Sequence, residues 1–307
     1  VIELRHFTEA QSRIAGATRR TPMLAAPDIA PNLSLKLELL QATGSFKARG
    51  AVNKAACLSP AETQRGIITA SGGNHGLAVA YAAHALGVPA TIYLPDNVHP
   101  DKLAKLRKWN AKIVIEGASW HEANRAALII AERDGLAYIH PFADPEVIAG
   151  QGTIALEILA DAPHTDIILV AIGGGGLISG VALAAKALKP AIRIIGIEPV
   201  GAPTLHASRQ ANEIVTLPAL STQAVTLAAN RTEPLNFAAI QQAVEDIVLV
   251  SDEEMRNAAR LLWSDYGLAA ELSGAASLAS LLTGRVTIED GQHVCALICG
   301  AGRDGMA

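Results

Sequence analysis

Short runs of apolar, β-branched residues alternate along the chain with longer stretches in which apolar positions recur at helical spacing. The strand-like runs fall at residues 66–70, 90–94, 111–115, 167–172, 192–197, 247–250 and 294–298. Alanine-rich or amphipathic helical stretches lie between them, notably at 76–86, 99–109, 122–134 and 177–188. Such alternation is the pattern of βαβ units, in which crossover helices force the strands to run parallel. The nearly continuous apolar character of the strands predicts burial on both faces, as a sheet covered by helices requires. Residues 66–143 form a self-contained series of these units. The expected architecture is therefore α/β, with a small domain at 66–143 inserted into a larger one made of 1–65 and 144–307. There is no coiled-coil heptad, low-complexity tail or solenoid period.

Bulk properties narrow the function without naming it. The 307 residues suffice for one large or two modest cores. A formal net charge of −4 gives no electrostatic reason to expect nucleic acid or an anionic membrane as a partner. No apolar run approaches the roughly 20 residues needed to span a bilayer. The start of the chain, with Glu3, Arg5 and His6, lacks the architecture of a secretory signal, and it also lacks an initiator Met. Three cysteines, Cys57, Cys295 and Cys299, argue against a disulfide framework and suit a reducing cytoplasm. No Cys or His spacing points to zinc, and no metal site is expected.

Chemistry concentrates in four places. Gly173-Gly174-Gly175-Gly176 follows an apolar strand and precedes the helix beginning at Leu177. Consecutive glycines turn main-chain N–H groups inward and the helix start adds positive potential, so this is either a phosphate cradle or simply a tight strand–helix turn. It matches neither the Gly-x-Gly-x-x-Gly fingerprint nor the Gly-Lys-Ser/Thr loop. Thr43-Gly44-Ser45-Phe46-Lys47 opens a helix, and a lysine there is disfavoured by the macrodipole. That penalty would lower its pKa toward what imine chemistry needs, although any isolated lysine is more often an ordinary surface residue. Ser71-Gly72-Gly73-Asn74-His75-Gly76 follows the strand at 66–70 and could hold a carboxylate or act as a capped turn. Cys295 and Cys299 lie four apart on a predicted strand, facing one side. Cys299 ends that strand, where ligands of open α/β sheets gather.

Four segments in order resemble the fold-type-II pyridoxal-phosphate family, in its threonine/serine dehydratase and serine racemase branch. They are Lys36-x-Glu38 with Gln41-x-Thr43-Gly44-Ser45-Phe46-Lys47-x-Arg49-Gly50-Ala51; Ser71-x-Gly73-Asn74-His75; Gly150-Gln151-Gly152-Thr153-Ile154-Ala155-x-Glu157; and Gly173 through Leu177. The similarity covers nearly the whole chain, without the extra C-terminal regulatory domain of biosynthetic threonine deaminases. It implies a tryptophan-synthase-β-like fold and pyridoxal 5'-phosphate held as an imine on Lys47, which then acts as base on the substrate Cα. It implies that Phe46 packs by the cofactor and Asn74 bonds the ring hydroxyl. Gly173, Gly174, Gly175, Gly176 and Leu177 would receive the phosphate, and Cys299 would face the pyridine nitrogen. Ser71, Gly72, Asn74 and His75 fall where the family holds the substrate carboxylate. A mobile small domain and assembly as a homodimer or homotetramer are also implied.

Departures from the family pattern shape the expected reaction. Serine racemases carry a second serine, an acid–base group, where this chain has Gly72, so elimination is favoured over racemisation. Glu271-Leu272-Ser273-Gly274 replaces a usual Glu-Pro start. Thr226-Leu227-Ala228-Ala229-Asn230 stands where relatives often read Ala-Asp-Gly, which weakens any carry-over of their cation site. A neutral thiol at Cys299 cannot keep the pyridine nitrogen protonated, so a carbanion at Cα would be short-lived and would expel a β-hydroxyl. The expected activity is dehydration and deamination of L-threonine or L-serine. The alternatives are serine racemisation, lysis of 3-hydroxyaspartate or another β-substituted amino acid, and a vitamin-binding or regulatory protein that keeps the fold without turnover.

Overall fold

The computed structural model describes residues 2–98 and 100–306. Among them are ten strands: β1 (Met23–Ala25), β2 (Leu33–Lys36), β3 (Ile67–Ala70), β4 (Ala90–Leu94), β5 (Lys112–Ile115), β6 (Ala137–Tyr138), β7 (Ile167–Ala171), β8 (Arg193–Pro199), β9 (Asp246–Val250) and β10 (Val294–Leu297). They form a larger sheet in the order β1-β2-β10-β7-β8-β9 and a smaller one in the order β5-β4-β3-β6. Every neighbouring pair is parallel except β1 with β2, which is antiparallel.

All seven expected strands are present, with ends shifted by at most two residues. The helices Asn74–Leu86, Trp120–Asp134 and Gly176–Leu188 lie where expected. The helix expected at 99–109 is Pro100–Arg107, and His99 lies outside the described residues. Three corrections concern detail. The short strands β1, β2 and β6 have too few residues for alternation to show. β5 and β9 are edge strands with exposed positions, and so are not covered on both faces. The final strand ends at Leu297, so Cys299 lies beyond it and not on it.

The helix Lys47–Ala56 sits between the two sheets. Its Ala51, Val52 and Ala55 pack with Ile67, Val79 and Ile92 in the core of the smaller sheet, while Phe46 packs on the core of the larger. A buried ionic cluster fixes this helix from beneath. Arg49, 1% exposed, donates to both carboxylate oxygens of Glu38 at 2.7 and 2.8 Å and to both of Glu157 at 2.7 and 2.8 Å. Lys36, fully buried, donates to Glu157 at 2.6 Å. Two cations and two anions thus compensate one another, and the forked guanidinium supplies the directional bonds that offset desolvation.

Candidate active site

A cavity of about 1140 Å³ opens between the two sheets. It gathers the ends of strands that run parallel, where βα loops converge. From the smaller sheet come the loop after β3, beginning at Ser71, and the segment His140-Pro141-Phe142 after β6. From the larger sheet come Gly173–Gly176 after β7, the stretch around Thr226, and Glu271, Ser273 and Cys299. Phe46 and Lys47 lie at the junction.

Lys47 is the first residue of its helix, and its Nζ donates to the carbonyl of Pro141 at 2.6 Å. Burial is the largest cause and lowers its pKa to about 8, while its neighbours Cys299 and Glu271 act the other way. Nζ stands 5.1 Å from the centre of the Phe46 ring.

The tetraglycine turn leads into the helix Gly176–Leu188, whose first-turn N–H groups have no intrahelical acceptor. Gly175 has φ +98°, a conformation that side chains resist. A Cβ on Gly174 would lie 2.4 Å from the Phe142 ring, and one on Gly176 2.6 Å from the Phe142 carbonyl oxygen. Phe142 is held in turn by a hydrogen bond from Asn236 Nδ2 to its carbonyl at 3.1 Å. Glycine is therefore required here by close approach as well as by conformation.

The loop after β3 leads into the helix Asn74–Leu86. Ser71 Oγ accepts from the Gly73 N–H at 3.2 Å, and Asn74 Nδ2 donates to Glu271 Oε1 at 2.9 Å. Gly72 lines the cavity and has no side chain to offer a proton. His75 lines it too, but its Nε2 is engaged with Thr69 Oγ1 and the Ile139 carbonyl, both at 3.0 Å. Burial lowers the His75 pKa to about 3 and that of His140 to about 4, so both rings are neutral. The Cys299 thiol is buried, donates to the Ser273 carbonyl at 3.4 Å, and is pushed well above the ordinary thiol pKa by that burial.

One cavity therefore holds a lysine with a lowered pKa, a glycine anion turn at a helix start and a neutral thiol. Residues 14–300 match a family described as pyridoxal-phosphate dependent enzyme. The chain belongs to that family. Within it, an L-threonine ammonia-lyase from Geobacter sulfurreducens is 41% identical over 94% of this chain and 73% of its own length. A serine racemase from Oryza sativa subsp. indica is 38% identical over 92% of this chain and 84% of its own. The structure of maize serine racemase superposes with a TM-score of 0.94 at 35% identity, covering 98% of this chain and 93% of the other.

The cavity fits the family's cofactor. Main-chain N–H groups of Gly173, Gly174 and Gly175 find no turn carbonyl or side-chain acceptor among the described residues, so they remain available to a phosphate. An imine with the cofactor's aldehyde requires an amine, and among the described residues Lys47 is the lysine that lines the same cavity. Every site residue expected from the sequence lines this cavity. Sequence reasoning left several others without a role, among them the Pro141 carbonyl, Phe142, His140 and Glu271. The first three follow a two-residue strand that carries no periodic signal. Glu271 meets Asn74 across 197 residues of chain.

Proposed function

We propose that this enzyme eliminates water from L-threonine or L-serine, releasing a 2-keto acid and ammonia. The observation that carries the proposal is the meeting of Lys47 Nζ, the tetraglycine turn and a neutral Cys299 in one cavity. Gly173–Gly176 and Leu177 would hold the cofactor phosphate, Phe46 and Asn74 would border its ring, and Cys299 would meet it as a neutral partner. When bound, pyridoxal phosphate supplies an aldehyde for the amine and a conjugated ring that withdraws electrons from the substrate Cα.

The chain's own residues account for the rest. Lys47 Nζ, with a pKa near 8, is a base close to neutrality and would take the proton from the substrate Cα. The N–H groups that start helix Asn74–Leu86, together with Ser71, receive the substrate carboxylate, and His75 backs this loop. The Pro141 carbonyl holds the Lys47 ammonium after proton transfer. The pocket's charge selects a neutral side chain. Among the described lining residues the Lys and Arg side chains are Lys47 and Arg231, and Arg231 is exposed and bonded to Thr216. With His75 and His140 neutral, a second carboxylate is left only the exposed Arg231 and His121 as partners, which disfavours 3-hydroxyaspartate.

Serine racemisation is the second reading, favoured by the similarity to serine racemases. Gly72 opposes it, because no proton can be delivered from that position. A panel of β-hydroxy amino acids, assayed for keto acid and for the enantiomer remaining, tests the choice. Keto acid should dominate, and steady D-serine formation without it would refute the assignment. Gly72→Ser should raise racemisation relative to elimination.

A small closing unit at residues 66–143, assembly as a homodimer or homotetramer and a cytoplasmic location belong to the same proposal. Sedimentation of the holoenzyme tests the assembly. Among the described residues no helix is long and apolar enough to cross a membrane.

A further inference from the structure

Glu271 is a half-buried carboxylic acid in the cavity that the reaction above does not use. It stands just before the helix Leu272–Leu282, on the side of the larger sheet. Space is kept for it, since a Cβ on Gly300 would lie 2.3 Å from Glu271 Oε1. That oxygen accepts from Ser273 Oγ at 2.6 Å, and Ser273 Oγ accepts in turn from Thr226 Oγ1, both on the same side of the cavity. Its other close donor is Asn74 Nδ2, at 2.9 Å, from the opposite wall.

The terminal torsion of an asparagine is soft, so an amide with no fixed partner presents either end to a ligand. An acceptor fixed against Nδ2 removes that freedom. The remaining Nδ2 hydrogen and Oδ1 then point in set directions. The acceptor is itself anchored, because Ser273 Oγ donates to it and is held in turn by Thr226 Oγ1.

We propose that Glu271 is a positioning residue that orients the Asn74 amide toward the cofactor ring and ties the β3 loop to the larger sheet. The inference rests on the reading that Asn74 borders that ring. It assigns work to Thr226 and Ser273 as well, as the pair that holds the carboxyl in place.

The test is a double-mutant cycle read by cofactor binding. Pyridoxal 5'-phosphate is titrated into cofactor-free protein, and the absorbance of its lysine-bound form is followed. Asn74→Ala and Glu271→Ala should each weaken binding about tenfold, as expected for loss of one oriented hydrogen bond. The double variant should be no weaker than either single, because both remove one interaction. Glu271→Gln keeps an acceptor oxygen and should bind close to wild type. Glu271→Met fills the space without an acceptor and answers the same question if the alanine variant does not fold. Additive losses in the double variant, or full affinity in both Glu271→Ala and Glu271→Met, would overturn the proposal. If wild type forms a lysine-bound species and the losses add, only the role of Glu271 falls. If wild type forms none, the functional reading falls with it.

Discussion

Lys47 Nζ has to be an electrophile's partner at one moment and a proton's at another, and both tasks depend on when it is neutral. Its pKa near 8 follows first from burial. The rate at which cofactor-free protein captures pyridoxal 5'-phosphate should therefore climb with pH and level off near 8. A plateau only near 10.5, seen by stopped-flow absorbance, would mean a solvated amine. The same shift fixes the sign of a stability effect. An unfolded lysine keeps its proton to about 10.5, whereas the folded one releases it near 8. The unfolded chain binds more protons between those values, so stability of the cofactor-free protein rises with pH across that window. Denaturant titrations of Lys47→Gln should lack this rise. Lys47→Ala should fold, yet lose both the lysine-bound absorbance and turnover, and persistent turnover would end the assignment. Lys47 and Cys299 were legible in the sequence because each sits in or beside a contiguous motif. The bond between Asn74 and Glu271 was not, because nothing local to either residue announces a partner on the other wall.

Among the elements, the tetraglycine turn and the helix after it are the part most tightly specified by local sequence. Four glycines in a row between an apolar strand and a helix leave few other structures open. What sequence could not reveal was the opposing surface, Phe142, which turns the glycines from a permissive loop into an obligatory one. Gly176→Ala would force a Cβ to within 2.6 Å of a main-chain oxygen that cannot swing aside. It should destabilise the fold by ~1–3 kcal/mol and weaken cofactor binding, checked by thermal melts and the same absorbance titration. Long parallel strands such as β7 and β8 were plain from their β-branched runs. β6, with two residues, and β1, paired antiparallel at an edge, owe their existence to neighbours already in place.

For the molecule as a whole, the division into two sheets was readable, but the placement of helix Lys47–Ala56 between them was not, since its alanines suit either core. The buried cluster beneath it makes that placement rigid. Arg49→Met should cost ~3–5 kcal/mol, because Glu38 and Glu157 would be left buried with less compensation. Chemical denaturation measures this, and a loss below ~1 kcal/mol would show that water reaches the cluster. The larger sheet carries a further consequence. Among the described residues β10 comes last of the ten strands, yet it is inserted between β2 and β7 and bonded to both. Until β10 has left the ribosome, β2 and β7 present raw, pairable edges, while β3 to β6 can already close on one another. Pulse-labelling hydrogen exchange on nascent chains stalled before Val294 should therefore protect β3 and β4 over the unpaired edges of β2 and β7. The newborn protein would depend on chaperone shelter for those edges until β10 slots home.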